Sequence, residues 1–188
     1  MESFDQSLKY LLQHEPADFI RFGLADPSIK VIGPLPSGLP SRSRDVDGGY
    51  LIEQGDNRSV VHIEFHRRHQ SLEDLAIDVT EAQIRFYRRE RLPVLSQVWD
   101  LYGAPDEPVL SDRTLHFGAP QKSGRSQGLY LRVNLRGMGA EELLSQGFRA
   151  LWPLVTLTRD GASEAVVRRT CIAIEARAEL SELERQTC

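Results

Sequence analysis

The chain has 188 residues, a formal net charge of -4 at pH 7, and 40% hydrophobic and 27% charged side chains. That length and balance suit one compact globular domain with a buried core, and no run of about 18 apolar residues offers a membrane span. The net negative charge argues against a protein that coats nucleic acid without specificity, which needs a basic surface, but leaves room for an enzyme with a local basic patch.

The N-terminal MESFDQSLKY lacks a basic region followed by an apolar one, so no secretory signal is expected. The two cysteines, Cys171 and Cys188, form neither a disulfide framework nor a metal-type pair. Cytoplasmic residence is the simplest expectation.

FDQSLKYLLQHE places Phe4, Leu8, Leu11 and Leu12 on one helical stripe. Pro16 interrupts it and starts a second short helix, with Phe19, Ile20 and Phe22 facing inward. SIKVIG reads as a short strand, and PLPSGLPSRSR as irregular chain. DGGYLIEQ and SVVHIEFH read as two strands, with GDNR as the turn of a hairpin. Ser71 then caps a long helix, with Asp74 three residues on. Leu72, Leu75, Val79, Ala82 and Phe86 are its apolar stripe.

LPVLSQVWDLYG is a near-continuous apolar strand, hence central. The segments between residues 103 and 126 give no clear element. GLYLRVNLR alternates as a strand, and AEELLSQGFRALW and SEAVVRRTCIAIEARAELSELER read as helices. Val167, Cys171, Ile174 and Ala178 form the stripe of the last helix, which predicts a buried, inert Cys171. A hairpin followed by a strand–helix–strand crossover predicts an α/β fold with a mixed central sheet flanked by helices. Residues 1–158 form its core, and residues 159–188 a C-terminal helix packed on or extending from it.

In VVHIEFHRRHQ, His62, Glu64 and His66 alternate along one face of the strand, and Val61, Ile63 and Phe65 along the other. Asp45, Asp47, Glu53 and Glu64 cluster around the hairpin in sequence. On antiparallel neighbours Asp47 and Glu64 can lie side by side, and paired carboxylates are a usual way to hold Mg²⁺ or Mn²⁺. Gly48–Gly49 would let the backbone bend or a substrate approach. The plainer alternative is an exposed hairpin with acidic decoration. A transition metal on His62, Glu64 and His66 would need a strongly bent strand, so His62 reads better as a hydrogen-bonded sheet residue. Arg67, Arg68 and His69 form one basic patch, and Arg85, Arg88, Arg89 and Arg91 a second. Each is a backbone contact for DNA or a solvated helix end.

FDQSLKYLLQHEPADFIRFGL, RDVDGGYLIEQ, VVHIEFHRRHQSLEDL and RFYRRERLPVLSQVWDLYG together resemble the Rpn/YhgA-like group of the PD-(D/E)XK nuclease superfamily, often labelled recombination-promoting nucleases or transposases. ALWPLVTLT and the helix after it resemble the tail of that group. The resemblance implies a PD-(D/E)XK core and a divalent-metal-dependent DNA endonuclease. Asp47 and Glu64 would be the metal ligands for Mg²⁺ or Mn²⁺. Lys9 would be the lysine of the first helix, and Pro93 the proline at a strand start. His66 stands where the group carries Gln or Lys. Arg67, Arg68, Arg88 and Arg89 would hold the DNA backbone. The alternative is a catalytically degenerate domain that keeps the fold and binds nucleic acid or a protein partner. A third reading is an oligomerising domain, a homodimer through its last helix.

Overall fold

The computed structural model describes residues 2–36, 47–66, 71–117 and 126–175. Two helices open the chain, α1 (Glu2–His14) and α2 (Pro16–Gly23), with Pro16 at the start of the second. Three strands follow: β1 (Lys30–Pro34), β2 (Gly48–Gln54) and β3 (Asn57–His66). Helix α3 (Leu72–Glu90) leads to β4 (Val94–Asp100), β5 (Leu110–Phe117) and β6 (Ser126–Val133). The chain then forms a 3₁₀ turn (Leu135–Gly137), α4 (Ala140–Ser145), a 3₁₀ segment (Arg149–Leu157) and α5 (Glu164–Glu175).

All six strands join one mixed sheet in the order β1-β2-β3-β4-β6-β5. β1, β2 and β3 form an antiparallel meander, and α3 carries the chain over to β4, parallel to β3. β6 is parallel to β4, and β5 closes the edge antiparallel to β6. The expected α/β class, mixed sheet and central β4 are all present.

Both faces of the sheet are covered. On one, Tyr50, Ile52, Val61, Ile63, Phe65 and Trp99 pack with Leu8, Leu11, Leu12, Phe19, Ile20 and Phe22 from α1 and α2. Phe19 and Phe22 lie against Trp99 with ring centroids 5.0 and 5.7 Å apart. On the other, the stripe of α3 lies over the strands. Leu75 and Val79 meet Val98 and Tyr130, while Ala82 and Phe86 meet Val60. The Ser71 hydroxyl caps α3 by accepting from the Asp74 N–H at 3.0 Å. Gly55 takes φ 58° in the two-residue loop between Gln54 and Asn57, the positive φ such hairpin turns use.

Three expectations need correction. Part of the span between 103 and 126 holds a strand, β5, whose LSDRTLHF lacks a clean apolar alternation because it is a sheet edge. AEELLSQGFRALW is not one helix. It breaks at Gly147, which takes φ 78°, and resumes as 3₁₀ chain around Pro153. Cys171 is half-buried, because Thr170 and Ile174 take the inward positions of α5. Ala178 and Cys188 lie outside the described residues. Among the described residues no helix is long and apolar enough to cross a membrane.

Candidate functional site

Gly48 lies opposite Ile63, and Gly49 opposite His62. One step further, the same register sets Asp47, just ahead of β2, against Glu64 at the open end of the hairpin. Asp47 is buried, 8% exposed. Its Oδ2 accepts a hydrogen bond from the Phe65 backbone N–H at 2.9 Å, and Lys9 of α1 brings Nζ to 3.3 Å from Oδ1.

Burial pushes the Asp47 carboxyl above the ordinary carboxylate range, and the negative charge of Glu64 adds to that. The Phe65 N–H and the Lys9 ammonium oppose the rise without cancelling it. The two glycines after Asp47 serve packing rather than substrate approach. A Cβ on Gly49 would lie 2.3 Å from Cζ of Phe86, and one on Gly48 would lie 2.8 Å from the Tyr50 ring.

His62 and Glu64 are neighbours on the α3 side of β3. His62 is buried against the Phe86 ring, with centroids 5.9 Å apart. Its Nδ1 is 3.2 Å from the Ser96 hydroxyl, and its Nε2 is 3.6 Å from the Glu64 carboxylate. It is thus a hydrogen-bonded sheet residue, as its position in the strand implied.

His66 opens a second cluster, which sequence reading did not find. Parallel pairing sets His66 beside Asp100, and His66 Nδ1 lies 3.2 Å from Asp100 Oδ1. Oδ1 also accepts from the Tyr102 N–H at 3.0 Å. Arg132 of β6 donates Nε and Nη2 to Asp100 Oδ2 at 2.9 and 2.6 Å, and Nη1 to Glu107. Burial by itself would raise the Asp100 carboxyl. The hydrogen bonds from His66, Tyr102 and Arg132 outweigh it and hold the group well below the usual carboxylate range. An ionised Asp100 can only accept, so His66 Nδ1 carries the proton and points its Nε2 away from the carboxylate.

The signal for this cluster was present but weak. Asp100 is the one charged residue of VLSQVWD, and Arg132 sits in an otherwise apolar LYLRV. Their partnership depends on the order of β3, β4 and β6 in the sheet, which no local pattern encodes.

The other expected site residues lie elsewhere. Glu53 sits at the turn end of the hairpin, paired with Arg58 at 2.8 Å and Lys30 at 3.4 Å. Arg88 and Arg89 are on the last turn of α3, about 25 Å along the helix from its start. Arg89 donates to the Pro36 carbonyl at 3.0 Å and to Glu90 at 2.6 Å, and stacks over Phe86. Asp45, Arg67, Arg68 and His69 lie outside the described residues.

Two adjacent carboxylates that repel one another match the donor set of a hard cation, which takes oxygen ligands and keeps several waters. Asp47 and Glu64 are thus compatible with Mg²⁺ or Mn²⁺. Among the described residues no group of three or more His, Cys, Asp and Glu side chains is arranged to hold a metal. No protein-family model matches this chain, and no curated protein and no solved structure matches it.

Proposed function

We propose that this chain is a divalent-metal-dependent DNA endonuclease of the Rpn type, with a PD-(D/E)XK core. The observation that carries the reading is the buried Asp47 beside Glu64, with the Lys9 ammonium 3.3 Å from the aspartate. The element order also supports it: a helix, an antiparallel three-stranded meander, a crossover helix and a parallel strand.

Asp47 and Glu64 would hold the metal ion. When bound, the ion supplies Lewis-acid polarisation of a phosphate and a lowered pKa for water. Lys9, now paired with Asp47, would neutralise a phosphate oxygen. His66, oriented by Asp100, would take a proton from water or return one to the leaving oxygen. The substrate backbone would be held by Arg67 and Arg68, which follow β3 in sequence. Arg88 and Arg89, on the last turn of α3, would extend that contact along the backbone.

The test is cleavage of plasmid DNA with Mg²⁺ or Mn²⁺. Glu64→Gln should lower the rate by about a hundredfold or more, and His66→Ala by about a hundredfold. The fold of each variant is checked by circular dichroism. Cleavage that survives Glu64→Gln unchanged would remove Glu64 from the site.

One observation favours a second reading, a domain that keeps the fold without the chemistry. Asp47 already receives the Phe65 N–H and the Lys9 ammonium, and His66 is tied into the Asp100–Arg132 ion pair. Such a domain would shift DNA in a gel equally with and without Mg²⁺ and cleave none.

A further inference from the structure

β4 and β6 pair at Gln97–Leu131, Val98–Arg132 and Trp99–Val133, and no further. The same register would set Val94, Leu95 and Ser96 against Gly128, Leu129 and Tyr130, but the strands part before those pairs form. A cavity of about 920 Å³ opens between them. α3 borders it on one side with Ile84 and Tyr87, and Leu24 borders it on the other. Leu129 is 61% exposed, Tyr87 53%, Ile84 48% and Leu95 39%. Half of the large exposed apolar side chains among the described residues thus meet in this one gap, a concentration that marks a binding surface.

The rim is basic. Arg88, Arg91 and Arg113 line it with one acid, Asp112, on a chain whose net charge is -4, and Arg113 is already paired with Glu107 at 3.6 Å. Arg88 and Arg91 make no ion pair among the described residues.

We propose that the gap is a docking slot for an extended acidic peptide: two or three consecutive apolar residues flanked by carboxylates, added as a strand between β4 and β6. The unpaired edges select the conformation. A strand between β4 and β6 would sit about 4.8 Å from each, beyond the point where their ladder stops at Gln97–Leu131. A helix satisfies its own backbone and would leave those edges unpaired. A strand presents side chains to both faces, and apolar residues wait on both: Ile84 and Tyr87 on one side, Leu24 and Leu129 on the other. That is why the apolar residues must be consecutive rather than alternating. Backbone pairing along these edges supplies affinity, with the Leu129 carbonyl exchanging its bond from Gln83 Nε2, 2.6 Å long, for one from the peptide, and the arginines select the flanking carboxylates. The inference does not rest on the nuclease reading.

The test is fluorescence anisotropy of the full chain with a labelled synthetic peptide that has a Val-Ile-Val centre and two glutamates at each end. Saturable binding is expected. It should weaken about tenfold or more in Leu129→Glu, in Arg88→Glu, with lysines in place of the glutamates, and when the central amides are N-methylated. Leu129 and Arg88 are exposed, so both variants should keep the wild-type circular dichroism spectrum. Tyr87→Ala provides an independent variant that should also weaken binding. Absence of saturable binding up to millimolar peptide overturns the proposal. So does undiminished binding of the N-methylated peptide, which would mean that no strand is added. Concentration-dependent self-association abolished by Leu129→Glu would overturn it as well, because a second copy would then fill the gap.

Discussion

Asp47 and Asp100 sit at the same end of one sheet and titrate in opposite senses. The folded Asp100 carboxyl lies below its unfolded value, so its contribution to stability is present above about pH 4 and is lost as pH falls further. The folded Asp47 carboxyl lies above its unfolded value. It therefore subtracts stability as pH rises through about 4, and that deficit persists to neutral pH. The two residues should be separable by mutation. Asp100→Asn should destabilise the protein near neutral pH by about 3 kcal/mol, because Arg132 loses a buried charged partner, and by much less in strong acid. Asp47→Asn should stabilise it near pH 7 by about 1 kcal/mol, and the gain should vanish in acid. Urea denaturation from pH 3 to pH 8 measures both. A stabilised Asp47→Asn protein that has also lost activity would mark a residue kept for chemistry at the expense of stability.

At the scale of the element, α3 was the most legible part of the chain. Its start was readable in the S-x-x-D box and its buried face in the steps of three and four, because both signals are local. Ser71→Ala should cost about 1 kcal/mol in the same denaturation experiment. The β2–β3 hairpin was legible for the same reason, since its turn chemistry and alternation lie within a few residues. The reason for Gly49 was not, because it depends on Phe86, which arrives 37 residues later from another layer. Gly49→Ala should destabilise by about 1 to 3 kcal/mol through overpacking against that ring. The candidate site divides along the same line. Asp47 beside Glu64 follows from one hairpin and could be read from its register. The His66–Asp100–Arg132 chain joins three strands and could not.

At the scale of the molecule, class and central strand followed from the order of the patterns, while edge and connections did not. β5 escaped notice because a half-solvated edge strand carries little apolar signal. The break at Gly147 escaped because the leucines on either side continue a helical rhythm that only its positive φ interrupts.

The short ladder between β4 and β6 has a further consequence, for the order in which the sheet comes apart. The β5–β6 pair is joined along its whole length by eight register pairs but meets β4 through three. β2 and β3 share seven, and β3 is joined to β4 by seven more. The β4–β6 seam is therefore the natural boundary of a cooperative unit that opens at less than the global free energy. Hydrogen exchange should show the amides of β5 and β6 protected together and to a lower level than those of β3. In refolding, the β5–β6 hairpin should gain protection before it docks, since its eight pairs join strands adjacent in sequence whereas only three pairs tie it to β4.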